Sequence, residues 1–145
     1  MKHTKVYVAL PMAGKPDLNR HLADEIAEHI EQVRNRIARR PGTDGIVAVL
    51  PHGIEVYQHD GPCPDGYPSG GGEGHSGHCY LRADLIEMLG CDAVVMGPGW
   101  AQSRGASAEY ATADAAGMPI YAYSPAIEQV DATIKPLNAH ARAAA

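Results

Sequence analysis

The sequence predicts an α/β fold of Rossmann-like (flavodoxin-like) type: a three-layer sandwich around a parallel sheet of four to five strands. Three observations carry this expectation. Short apolar runs recur at Lys5 to Leu10, Ile46 to Leu50, Cys91 to Met96 and Pro119 to Tyr123, and strands apolar on both faces belong to sheets covered on both sides. Helix-period segments alternate with those runs, the order that builds crossover units. Proline or glycine turns close the first three runs, where such sheets collect their ligands, at the carboxyl ends of the strands.

Taken in order, Lys5-Val-Tyr-Val-Ala-Leu10 reads as a strand ended by Pro11. Leu18, Leu22, Ile26, Ile30, Val33 and Ile37 then fall at spacings of three and four, one stripe on a long helix. Arg39 and Arg40 followed by Pro41-Gly42 mark the end of that helix. Ile46 to Leu50 reads as a second buried strand closed by Pro51. Between Gly61 and Gly77 ten residues are Gly or Pro, so a long loop at about 52–79 is expected, of the kind that serves as a lid or binding loop. Leu81, Leu85, Met88 and Leu89 suggest a short helix, and Cys91 to Met96 a third strand. A turn over Gly97 to Gly105 leads into an Ala-rich helix to Ala116, capped by Gly117, and then into a fourth strand. Ile127, Val130, Ile134 and Leu137 place a last amphipathic helix, kinked at Pro136.

The 145 residues suit a single domain, with 45% apolar residues and a net charge of -5. No basic stripe offsets that charge, which argues against a nucleic-acid polymer as partner. No apolar run approaches the ~20 residues that span a bilayer, and no signal-peptide core precedes the first strand. Three cysteines without a CxxC pair argue against a disulfide framework. The expectation is a cytoplasmic protein with no membrane partner.

The segment Pro98-Gly-Trp-Ala-Gln-Ser-Arg-Gly-Ala-Ser-Ala-Glu109 is the most informative for chemistry. A helix beginning near Ser103 presents unpaired N–H groups to an anion, and Gly105 with Ala106 keeps the wall thin. Glu109 follows in the early turns, where the helix dipole favours its ionised form by roughly 0.3–1 kcal/mol. Spacing alone leaves two readings open: a nucleophile at a sugar carbon, or a Glu facing solvent. Arg104 reads either as a phosphate partner or as a solvated surface residue, and Trp100 as a base-stacking ring or a plug at the strand end. His52, His59, Cys63, His75, His78 and Cys79 could ligate zinc by type, but their spacing fits no standard signature. The expectation is therefore no metal and no cofactor, with the imidazoles of the loop facing substrate or solvent. Cys91 reads as a small core residue.

Three blocks carry a resemblance: Tyr7-Val-Ala-Leu-Pro-Met-Ala-Gly14 with Asn19, Arg82-Ala-Asp-Leu-Ile-Glu-Met-Leu-Gly-Cys-Asp92, and Pro98 to Glu109 with Gly117-Met-Pro-Ile-Tyr121. Together they resemble a small bacterial and phage family labelled DUF4406. That family is similar to nucleoside 2-deoxyribosyltransferases and 2'-deoxynucleoside 5'-phosphate N-hydrolases. The resemblance runs over roughly residues 5 to 123 outside the 52–79 loop. It implies that Glu109 attacks C1' of the (deoxy)ribose, that Tyr7 hydrogen-bonds and orients that carboxylate, and that Asp84 assists protonation of the departing base. Ser103 and Gly105, with Arg104 beside them, would hold the 5' end of a nucleotide. Gly14 could add to a phosphate cradle, although Leu10-Pro11 departs from the glycine that relatives often carry before that proline. Asp92 falls on a structural position. The implied partner is a small nucleotide or nucleoside, and relatives imply a homo-oligomer.

The expected function is hydrolysis of the N-glycosidic bond of a (deoxy)nucleoside 5'-monophosphate. The alternatives are a deoxyribosyltransferase, a non-catalytic nucleotide sensor on the same fold, and a phosphoribohydrolase. Against the last, Trp100 stands where its glycine turn has a second Gly.

Overall fold

β1 (Thr4–Ala9) is flanked by a strand on each side, and its burial follows from its composition: Val6, Tyr7, Val8 and Ala9 are all fully buried. The computed structural model describes residues 2–32, 37–55, 62–64 and 75–142. β2 (Ile46–Val49), β3 (Ala93–Met96), β4 (Ile120–Ser124) and β5 (Thr133–Pro136) complete one sheet in the order β2-β1-β3-β4-β5. The first four strands are parallel, with Tyr7 paired to Val49 on one side and Val94 on the other. β5 runs antiparallel to β4.

Three helices among the described residues cover the sheet: α1 (Arg20–Gln32), α2 (Gly77–Leu89) and α3 (Arg104–Ala115). Side chains alternate across a strand, and here the alternation builds two cores. Val6, Val8, Ala93, Val95 and Tyr121 pack with Ala23, Ile26 and Ile30 of α1. Tyr7, Ala9, Val94, Met96 and Ile120 face the other way, against Met88 of α2 and Ala106 and Ala113 of α3. The result is a Rossmann-like three-layer α/β arrangement.

Several elements differ from the sequence reading. The first helix does not reach Arg40: residues 37–40 are not helical, although Ile37 is fully buried, and Val33 lies outside the described residues. β2 is an edge strand of intermediate burial rather than a fully buried one. α2 starts four residues before Leu81, at Gly77.

The largest difference is at the C-terminal end, where the expected helix is β5. Ile134 alone of its four apolar positions is buried, while Ile127 and Val130 are exposed and form an isolated antiparallel bridge. The open edge of β4 supplies the ladder that Thr133 to Pro136 complete, and Pro136 could not have donated within a helix. No helix among the described residues is long and apolar enough to cross a membrane.

Candidate active site at the switch point of the sheet

The chain leaves β1 toward β2 on one side and builds β3 and β4 on the other, so the crevice outside the carboxyl ends of β1 and β3 is the topological switch point. Gly97 draws the two ends together: its N–H donates to the Ala9 carbonyl at 2.7 Å. A Cβ there would stand 2.8 Å from Cβ of Leu10 and 3.3 Å from Cδ1 of Ile26. The turn after β1 is held by side chains as well. Nδ2 of Asn19 donates to the Pro11 carbonyl at 2.8 Å, and Nε2 of His52 lies 2.7 Å from the Leu18 carbonyl oxygen. Asp17, Leu18 and Asn19 all have positive φ, backbone conformations that these contacts help to sustain.

α3 begins where the sequence indicates. Ser103 is its N-cap, and the hydroxyl accepts from the Ala106 N–H at 3.2 Å. Arg104 and Gly105 open the helix on the exposed surface, and a Cβ on Gly105 would meet nothing within 4 Å. Gly14 is exposed too, with φ +73°. Trp100 stacks on Tyr110 at a centroid separation of 4.6 Å and packs on the apolar core beneath it. This contact matches the plug rather than a free stacking platform.

Tyr7, Asp84 and Glu109, far apart in the chain, converge. Tyr7 comes from the centre of β1, Asp84 from the middle of α2 and Glu109 from the second turn of α3. Glu109 is only 5% exposed and Tyr7 is fully buried. Burial pushes the Glu109 carboxyl up from 4.5 to about 7; the Tyr7 hydroxyl opposes this, and the charge of Asp84 adds to it. Burial likewise pushes Asp84 up to about 6. Tyr7 is driven far above its ordinary value by burial first and by the Glu109 and Asp84 charges next, so it remains a protonated donor.

This corrects the sequence expectation that the helix dipole holds Glu109 ionised. The dipole acts within the first turn, which contains no acidic residue, and desolvation outweighs it. The Tyr7 hydroxyl and the Glu109 carboxyl interact as donor and acceptor, and the phenol pulls the carboxyl back toward its ordinary value. The contact is loose, since Tyr7 Oη and Glu109 Oε2 are buried without a close hydrogen-bond partner among the described residues. Such bonds commonly tighten only when substrate is bound.

A groove of about 400 Å³ lies on the β2 side, lined by Ala48, Val49, Leu50, Gly53, Ile54, Glu55 and Glu87, with Tyr7, Asp84 and Glu109 outside its lining. Val49 joins it to Tyr7 through the β1–β2 register. Asp92 stays out of the site. It accepts from the Lys5 N–H at 2.8 Å and pairs with Arg40 at 3.5 Å, tying β3 to the start of β1. Cys91 is a core residue whose Sγ contacts the Glu87 carbonyl.

The histidines and cysteines of the 52–79 segment do not behave as the sequence suggests. Cys63, His75 and Cys79 are all buried, and their ligand atoms lie within 4.8 Å of one another. His75 therefore faces two thiols rather than solvent. Spacing concealed the cluster: His75 precedes the extended N-cap Ser76 while Cys79 sits in the first turn of α2, so no helical period joins them. His52 is engaged with Leu18, His78 is exposed, and His59 lies outside the described residues, as does most of the expected lid.

The model of a family described as a domain of unknown function (DUF4406) matches residues 66–122. Asp84, Ser103, Arg104, Gly105 and Glu109 fall inside that segment, whereas Tyr7 and Gly14 lie outside it. No curated protein and no solved structure matches the chain.

Proposed function

We propose that the protein is a cytoplasmic enzyme that cleaves the N-glycosidic bond of a (deoxy)nucleoside 5'-monophosphate. The observation that carries this reading is the buried Glu109 carboxyl, whose Oε2 has no close hydrogen-bond partner among the described residues, held beside a second high-pKa carboxyl and a neutral phenol at the carboxyl edge of the sheet. Burying an ionisable group without a close partner is unfavourable, and such groups cluster where chemistry uses them.

In the first step the Glu109 carboxylate attacks C1'. A C1'–oxygen bond forms and the C1'–nitrogen bond breaks, its electron pair leaving on the base. The Asp84 carboxyl gives its proton to the base, so the base departs neutral. The Tyr7 hydroxyl donates to the Glu109 carboxyl and fixes its orientation. In the second step Asp84, now a carboxylate, takes a proton from water, whose oxygen attacks C1' and frees Glu109. The products are the free base and the sugar phosphate.

The exposed first turn of α3, with its N–H groups and Arg104, suits the 5'-phosphate. Glu55 and Glu87 make the groove on the β2 side unfavourable for phosphate and leave it to the base end. We take the assembly to be a homo-oligomer, supported by Tyr80, Ile86 and Leu89, which α2 leaves exposed.

The test is chromatography after incubation with a panel of NMPs, dNMPs and nucleosides. The expected result is release of a free base, abolished in Glu109→Gln. Release that is efficient only when a second base is added would identify a deoxyribosyltransferase. Nucleotide binding without release from any member would identify a sensor and overturn the enzymatic reading.

A further inference from the structure

We propose that Cys63, His75 and Cys79 form a binding site for a soft divalent cation, zinc foremost, that fastens the segment after β2 to the start of α2. Cys63 Sγ lies 3.8 Å from Nδ1 of His75 and 3.5 Å from Cys79 Sγ. Donors on two corners of a tetrahedral zinc site, with Zn–S near 2.3 Å and Zn–N near 2.0 Å, stand about 3.6–3.8 Å apart. The Cys63–His75 and Cys63–Cys79 pairs stand close to that spacing, and all three ligand atoms lie within 4.8 Å of one another. The three residues are 2%, 7% and 8% exposed, and two thiolates with one neutral imidazole balance the charge of a divalent ion. A buried site of that composition carries no net charge to desolvate. Two thiolates and an imidazole also select zinc over magnesium or calcium, which prefer oxygen.

The surroundings match. The Ser76 N–H donates to Cys63 Sγ at 3.4 Å, the kind of outer contact that steadies a metal-bound thiolate. Ser76 is the N-cap of α2 but makes no side-chain cap bond, and Cys79 lies in the first turn. An ion on these three residues would therefore do what the cap does not, and would hold the helix that carries Asp84. A disulfide between Cys63 and Cys79 would need the sulfurs to close to about 2.05 Å and would give His75 no part. Binding is balanced by loss of two thiol protons for each zinc taken up, with no oxidant or reductant.

This inference is independent of the proposed activity. The whole chain, purified in reductant, should contain one zinc per chain. Removal by a chelator should lower the melting temperature and expose two thiols to a thiol reagent, and zinc should reverse both with release of two protons. Cobalt substitution should give a thiolate-to-metal charge-transfer band and the intense visible bands of a tetrahedral centre. Cys79→Ser should lose the metal and Cys91→Ser should keep it. The cobalt spectrum and proton count are read on the unsubstituted chain, so a variant that fails to fold leaves the test standing. Absence of zinc uptake by the reduced, folded chain would overturn the proposal. So would cobalt binding without a thiolate band, or a Cys63–Cys79 disulfide accounting for the protected thiols.

Discussion

Tyr7 on β1 and Glu109 on α3 are buried in loose contact with each other, and neither Tyr7 Oη nor Glu109 Oε2 has a close hydrogen-bond partner among the described residues. A fold built only for stability would pair these atoms closely or replace them. Left so loosely paired, they hold a carboxyl whose proton is lost near neutrality, a suitable setting for a nucleophile that must be ionised to react.

Base release should follow a narrow bell with pH. Glu109 must be ionised, so the rate declines on the acid side of about 7. Asp84 must be protonated, so it declines on the alkaline side of about 6. The productive form is the less populated one, and the optimum lies between the two values. The limbs belong to the coupled pair. A profile of kcat/KM against pH checks this, and a broad plateau above pH 8 would exclude Asp84 as the acid.

Glu109→Gln should abolish base release and yet stabilise the protein in alkali. The carboxyl keeps its proton to about 7 when folded, against 4.5 ordinarily. Between those values the folded state binds more protons than the unfolded one, so stability falls as pH rises through the window. The total is about 3 kcal/mol, at 1.36 kcal/mol for each unit. Denaturant melts at pH 8 and pH 4 should show the variant ahead at the first and level with the parent at the second.

Tyr7→Phe removes a hydroxyl that makes only a loose contact with Glu109 in the fold, so its melting temperature should change little. The hydroxyl is used once substrate brings the carboxylate into line. A hydrogen bond to a charged group is worth about 1.5–3 kcal/mol, and base release should slow roughly ten- to hundredfold. Equal loss of stability and activity would reduce Tyr7 to a packing role.

Gly105→Ala should separate fold from ligand. The added methyl meets nothing within 4 Å, and alanine favours a helix by roughly 0.8–1 kcal/mol over glycine, so the variant should melt higher. If the 5'-phosphate approaches this turn, its KM should rise. Arg104→Ala should raise KM for a monophosphate about tenfold and leave that for a nucleoside unchanged, one charge-assisted contact having been lost.

Gly97→Ala should destabilise by about 1–3 kcal/mol, because its Cβ would stand 2.8 Å from Cβ of Leu10, which is buried and cannot move aside. Thermal melts check this.

What could be read along the chain was local. Continuous apolar runs such as Val6 to Ala9 and Ala93 to Met96 announce strands covered on both faces, and Ser103 announces the start of α3, because burial pattern and capping act over a few neighbouring residues. The three-layer arrangement follows from their alternation. Proximity across the chain was not local. Ile127, Val130, Ile134 and Leu137 fit a helical period, but a helix there had to compete with the free edge of β4, which no period along the chain displays. Cys63, His75 and Cys79 have unremarkable spacing and become a cluster only when the segment after β2 meets α2. Glu109 makes the contrast sharpest. Its place on a helix is written in its neighbours, but its protonation depends on how far β1, α2 and α3 together exclude water from one carboxyl.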